Sequence, residues 1–129
     1  MNITEENYVD EAERVIKLLK SEKDDRGKLR PQITTSQIRN LLAMSADIHN
    51  ELMRQNEDTV SAETASRIEY LRVRFIYESG RTPSVKNFVE KADILNVIKS
   101  IGKSKKKFEL FNHYMEALVA YHRYYGGKD

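Results

Sequence analysis

Apolar residues recur at helical intervals along nearly the whole chain, separated by short polar breaks. Tyr8, Ala12, Val15, Ile16 and Leu19 form the first stripe. They predict a helix from about Glu5 to Lys20, with Thr4 as N-cap and Glu5 and Glu6 at the positive end of its dipole. The stretch 21–32, SEKDDRGKLRPQ, has no apolar period and contains Gly27 and Pro31, so it reads as a mobile, charged loop. Thr34 and Gln37 then have the spacing of a capping box, flanked by Ile33 and Ile38 at the spacing of a hydrophobic staple. The second stripe runs through Leu41, Leu42, Ile48, Leu52 and Met53, and the helix frays by about Asn56.

Ser61 is the expected cap of a third helix, with Ile68, Leu71, Phe75 and Ile76 inward and Gly80 as its stop. Thr82-Pro83-Ser84 opens a fourth segment that changes face. Val85, Phe88, Val89, Ala92 and Leu95 make one stripe; Ile94, Val97, Ile98 and Ile101 make another, nearly opposite. Either the helix kinks near Asp93 or two neighbours sandwich it. Gly102 ends it, and Ser104 caps a last helix from about Lys105 to Tyr125, stopped by Gly126 and Gly127. Phe108, Phe111, Tyr114, Met115, Leu118, Tyr121 and Tyr125 cover well over half of that helix's circumference. A helix that apolar is central to its bundle or partly covered by another chain, which makes Tyr121 and Tyr125 candidate subunit contacts. The pattern predicts an all-α fold, a compact bundle of five or six helices forming one domain over residues 1–129.

Composition supports this and removes several alternatives. With 40% hydrophobic and 33% charged residues the chain is globular and well solvated rather than disordered. Five Gly and two Pro suit helices with short connections. The lack of Cys excludes a disulfide framework, a thiolate nucleophile and a zinc knuckle. No apolar run approaches the roughly 18 residues of a membrane span and no signal-peptide core is present, so the expected location is the cytoplasm.

Charge is uneven. Residues 1–59 carry 9 basic and 12 acidic side chains, net −3, whereas residues 60–129 carry 13 and 8, net +5. Within the latter, 67–107 holds 11 basic and 4 acidic residues, net +7, which points to a polyanion; ordinary solvated helix faces account for the same asymmetry.

No catalytic residues, metal ligands or cofactor motif emerge. A di-iron bundle needs Glu three residues before His, but Ala46, Leu110 and Val119 precede His49, His113 and His122 at that spacing. His49 and His122 fall on apolar stripes, as packed, hydrogen-bonded histidines do. HExxH, phosphate-loop, dinucleotide and GxSxG patterns are all missing. The chain is therefore not expected to be an enzyme.

The basic residues are better organised. Arg67, Arg74 and Arg81 are seven apart and line one flank of the third helix; Arg39 lies near the start of the second; Lys103, Lys105, Lys106 and Lys107 open the last. Guanidinium groups spaced by turns of a helix can follow phosphates, because Arg binds them bidentately and stays charged. Tyr70 and Tyr77 adjoin them and offer stacking without base readout. The same arginines can instead pair with Glu63, Glu78 or carboxylates of another helix, and the lysines can be a solvated helix end. Arg72 falls inside the apolar arc and is expected to pair with Glu90 or Asp93.

Five strings resemble the small subunit of type III-A CRISPR–Cas (Csm) effector complexes: ENYVDEAE near the start, ITTSQIRNLL at 33–42, RIEYLRVRFIYESGR at 67–81, VKNFVEKADIL at 85–95 and the ending YMEALVAYHRYYGGKD. The resemblance implies an all-helical, non-catalytic subunit present in more than one copy per complex. It implies contacts with further copies, with the repeated backbone subunit and with the large signalling subunit. It also implies a hold on target RNA and its duplex with the guide (CRISPR) RNA through the sugar–phosphate backbone, in antiviral defence. Within the resembling strings, Arg39, Arg67, Arg74 and Arg81 are the expected RNA contacts, and Lys103, Lys105, Lys106 and Lys107 are further candidates outside them. A helical protein–protein adaptor that touches no nucleic acid is the alternative.

Overall fold

The structure, a computed structural model, describes residues 2–129. Among these residues six helices follow one another: α1 (Tyr8–Ser21), α2 (Thr35–Met53), α3 (Ala62–Arg81), α4 (Pro83–Lys91), α5 (Ile94–Ile101) and α6 (Lys105–Tyr124). The helices form where local chemistry satisfies their exposed ends. The capping box is closed: Gln37 N–H donates to Thr34 Oγ1 at 3.1 Å, and Thr34 N–H to Gln37 Oε1 at 2.9 Å. Ser61 and Ser104 accept from the backbone N–H of Thr64 and Lys107, each at 3.1 Å. The first helix begins a turn later than its stripe predicts. Asn7 N–H donates to Thr4 Oγ1 and Thr4 N–H to Asn7 Oδ1, so a separate turn precedes Tyr8.

Helix α6 occupies the centre and packs chiefly on α1 and α2, with α5 also against it. Phe108, Phe111, Tyr114, Met115 and Leu118 are wholly buried there. Of the two explanations for its wide apolar arc, the central position holds along most of its length. The change of face in the fourth segment is a break: α4 and α5 meet at Asp93, whose φ of 56° is left-handed, a conformation that Asp tolerates better than most residues. Tyr114 Oη donates to Ala92 O at 3.0 Å, so α6 occupies a carbonyl at this corner. Burial drives the pKa of that phenol up, with the Glu11 charge adding to it.

The chain end closes on the start of α2. Gly126, at φ 79°, and Gly127 form a Schellman turn, donating to Arg123 O and His122 O. His122 Nε2 lies 2.9 Å from Ile33 O, which can only accept, so Nε2 carries the proton. Nδ1 then accepts from the Thr35 hydroxyl at 2.7 Å. Thr35 N–H donates in turn to Lys128 O at 2.7 Å. Gly127 lies over the imidazole so closely that a Cβ there would collide with the ring. Desolvation lowers the His122 pKa, the Ile33 hydrogen bond opposes this, and Lys20 and Arg123 reinforce it.

Helix α3 is packed on one side only, against α2, α4 and α5, and three expectations for it are corrected. Ile76 faces solvent rather than the core. Arg72 pairs with Glu69 on its own helix at 2.7 Å; its long side chain leaves the edge of the apolar arc for water. Gly80 does not stop the helix, which runs on to Arg81 with Thr82 as its C-cap. Met53, on the predicted stripe of α2, is also exposed, because its heading falls outside the side that buries Ile48 and Leu52. His122 is packed and hydrogen-bonded as expected, whereas His49 Nε2 is buried with no partner among the described residues.

The 21–32 segment turns on Asp24, whose Oδ1 accepts from the backbone of Arg26 and Lys28, with Gly27 at φ 78°. Glu22 anchors its stem through Arg30 at 3.1 Å, Lys91 at 3.3 Å and Asn87 at 3.1 Å. Burial raises the Glu22 pKa, but Asn87, Lys91 and Arg30 together hold it below the ordinary value.

Candidate nucleic-acid interface

Helices α2 and α3 leave a groove between them. One stretch, about 500 Å³, is lined by Met44, Asp47 and Ile48 of α2 and Ser66, Arg67, Tyr70, Leu71 and Arg74 of α3. A second, about 440 Å³, continues past Gln37, Asn40 and Met44 to Arg74, Glu78 and Arg81. The two share Met44 and Arg74, so Arg67, Arg74 and Arg81 line a continuous cleft. The seven-residue spacing produces this, because two helical turns return a side chain to nearly the same heading. All three arginines are exposed.

Each has a carboxylate nearby, as the ion-pair alternative anticipates. Arg67 pairs with Glu51 across the groove, and Arg81 Nη1 lies 3.4 Å from Glu78 Oε1. Arg74 is 4.0 Å from Glu78, beyond hydrogen-bond reach. Exposed pairs of this kind contribute roughly 0–1 kcal/mol each, so they can yield to a phosphate that is gripped bidentately. Both Arg74 and Arg81 hold their guanidinium carbons near the Tyr77 ring, at 6.0 and 5.7 Å from its centroid. Tyr70 is 61% exposed; Val73, Ile76 and Tyr77 extend this strip of exposed rings and aliphatic groups along α3.

The other basic candidates lie apart from the groove lining. Arg39 is exposed on α2 but is not among the residues that line either stretch. The lysines cluster where α6 begins, at the same end of the bundle as the start of α3: Val60 N–H donates to Lys103 O and Lys105 N–H to Asp58 O. Lys105 Nζ is bonded to Gln55 O. Lys106 lines a shallow hollow with Glu5, Tyr8 and Glu109, and Lys107 is exposed. At the opposite end of α6, Tyr121 stacks on Tyr125 at 6.1 Å between ring centroids. Tyr125 Oη donates to Glu13 at 2.5 Å, and this bond is the main reason its pKa is pushed up to about 12. Both rings are half-buried against the bundle; Tyr124 beside them is 78% exposed. Among the described residues no group of three or more His, Cys, Asp or Glu side chains is arranged to hold a metal ion, and no helix is long and apolar enough to cross a membrane.

A model of the type III-A Csm2 family matches residues 9–128. The chain belongs to the Csm2 family. It is 46% identical to the CRISPR system Cms protein Csm2 of Streptococcus thermophilus, over 98% of both chains. It is 37% identical to the protein of that name from Mycobacterium tuberculosis, over 100% of this chain and 99% of the relative. For the Enterococcus italicus protein the figures are 37%, 88% and 86%. The matches extend through the 21–32 loop and the 54–62 connection, neither of which resembles a family string that can be named from sequence. What sequence reading missed in this Csm2-family chain is the α2 wall of the groove. Asn40, Met44 and Asp47 recur at three- to four-residue spacing on the flank beside the apolar stripe, but only packing shows that they face α3.

Proposed function

We propose that this Csm2-family chain is a non-catalytic, RNA-binding subunit of a type III-A CRISPR effector complex in the cytoplasm. It holds target RNA and the guide–target duplex through the phosphate backbone. The observation that carries this reading is the alignment of Arg67, Arg74 and Arg81 along one cleft, exposed and held only by weak surface pairs. Arg39 and Lys103, Lys105, Lys106 and Lys107 act as flanking phosphate contacts. The lysines extend the track beyond the end of α3 nearer Arg67.

The test is affinity for target RNA against salt, using assembled complexes and two unrelated guide–target pairs. Each lost phosphate contact lowers the salt slope by about 0.7 for a single strand, so Arg74→Ala with Arg81→Ala lowers it by about 1.4. The loss is equal for the two targets, since backbone contacts carry no base information. An unchanged slope moves the contact to Arg39 or the lysines; a loss confined to one target contradicts backbone reading.

Assembly with further copies of the chain, the repeated backbone subunit and the large signalling subunit uses the C-terminal aromatic cluster around Tyr121 and Tyr125. A charged residue at either position weakens co-purification with the other subunits more than it lowers helix content; equal losses would make the cluster plain core. The adaptor reading, with no nucleic-acid contact, draws on the exposed Val73 and Ile76 and on the carboxylate beside each arginine. Salt-independent RNA affinity would favour it.

A further inference from the structure

The 500 Å³ stretch of the groove carries more than a phosphate track requires. One wall holds an exposed tyrosine, the inner lining is aliphatic, Arg67 and Arg74 are at hand, and Asp47 lies opposite on α2. Asp47 is exposed and has no hydrogen bond or ion pair among the described residues. An ionised carboxylate accepts hydrogen bonds and donates none, and close to a phosphodiester it repels. In a cleft otherwise suited to an anion, it offers an acceptor to a donor on the ligand. Guanidinium groups for a phosphate, a ring for a base and a lone acceptor match the three parts of a ribonucleotide, whose 2′-hydroxyl is the one sugar donor that DNA lacks.

We propose that this stretch is a sugar-reading site for an unpaired ribonucleotide of any sequence. The base stacks on Tyr70 and against Met44 and Leu71, the phosphate lies on Arg67 and Arg74, and the 2′-hydroxyl donates to Asp47. Arg67 exchanges its surface pair with Glu51 for the phosphate; Arg74 has no bond of hydrogen-bond length to give up. Stacking and a 2′-hydroxyl contact are both blind to base identity, so the site is compatible with targets of arbitrary sequence. It rests on the RNA-binding reading above and adds discrimination between RNA and DNA.

The experiment measures the affinity of the full chain for three short unstructured strands of one sequence built from A and C only: RNA, DNA and 2′-O-methyl RNA. The first two then differ in the 2′-hydroxyl, and the third keeps the ribose pucker while removing the donor. The wild-type chain is expected to bind RNA about five- to tenfold more tightly than either other strand, the size of one exposed charge-assisted hydrogen bond. In Asp47→Ala that ratio falls to about one. Loss of the charge alone would tighten all three strands equally and leave the ratio intact, which would overturn the sugar assignment. Tyr70→Ala weakens all strands about tenfold with an unchanged salt slope, and Tyr70→Phe restores binding; indifference to Tyr70→Ala overturns the stacking. Circular dichroism identifies any variant that fails to fold. A wild-type ratio of one, with the arginine-dependent salt slope preserved, overturns this site and leaves the RNA-binding reading standing. No salt-dependent binding of any strand overturns both.

Discussion

The two long helices α3 and α6 treat their polar groups in opposite ways. In α6, the buried polar groups are spent inside the chain: Asn112 Oδ1 accepts from Ser45, Tyr114 holds the Ala92 carbonyl, and His122 joins Ile33 to Thr35. On α3, the row Arg67, Arg74 and Arg81 is left in water with long or exposed ion pairs, beside Tyr70, Val73, Ile76 and Tyr77, each more than half exposed among the described residues. Satisfied buried groups specify a fold; uncommitted exposed ones are available to a ligand. The two helices are equally long, at 20 residues each, so their surroundings rather than their length assign these roles.

The sharpest way to break this contrast is within α3 itself. Phe75 is fully buried and meets Phe111 edge-on, with 6.2 Å between ring centroids. Phe75→Ala is expected to destabilise by about 3–5 kcal/mol, whereas Ile76→Ala next to it stays within about 0.5 kcal/mol. Urea unfolding of the full chain measures both, and equal losses would mean that the outer face of α3 is covered after all. Next in size is Gly127→Ala, which forces a methyl into the His122 ring and is expected to cost about 1–3 kcal/mol. Thermal unfolding reads the loss, together with faster amide exchange at Thr35, whose N–H is bonded to Lys128. The arginines lie at the other extreme: Arg74→Ala with Arg81→Ala is expected to leave unfolding stability within about 1 kcal/mol. A larger loss would recast these side chains as structural and weaken the case for a ligand track.

The smallest effect is on pH dependence. His122 is held neutral below its ordinary pKa of 6.5, so its contribution is complete above that pH. As pH falls from there through the folded value, the unfolded chain binds a proton that the folded chain resists, and the contribution is lost. Glu22 behaves alike one step lower: its contribution is present above 4.5 and disappears as pH falls through its depressed folded value. Stability measured across this range should therefore decline in two stages. His122→Gln removes the first stage and leaves the second; survival of the first would assign it to another group.

The helices and most of their inner faces follow from local sequence. Three Ser or Thr caps were legible because an N-cap is satisfied within four residues of chain. The change of face around Asp93 was visible as a shift of apolar period, and the heptad spacing of the arginines as one heading on one helix. The family resemblance was legible in five strings, and full-length matches bear it out. Tertiary packing decided the rest. Whether the second stripe meant a kink or a sandwich could not be read from period alone; the left-handed backbone at Asp93 breaks the segment into α4 and α5, and Tyr114 of α6 packs at that corner. Ile76 was read as core because periodicity ranks headings without revealing that α3 has neighbours on only one side. The same missing knowledge hid Asp47. A residue beside an apolar stripe becomes the wall of a groove only when a second helix packs at the right distance, and hydrophobic period carries no information about that distance.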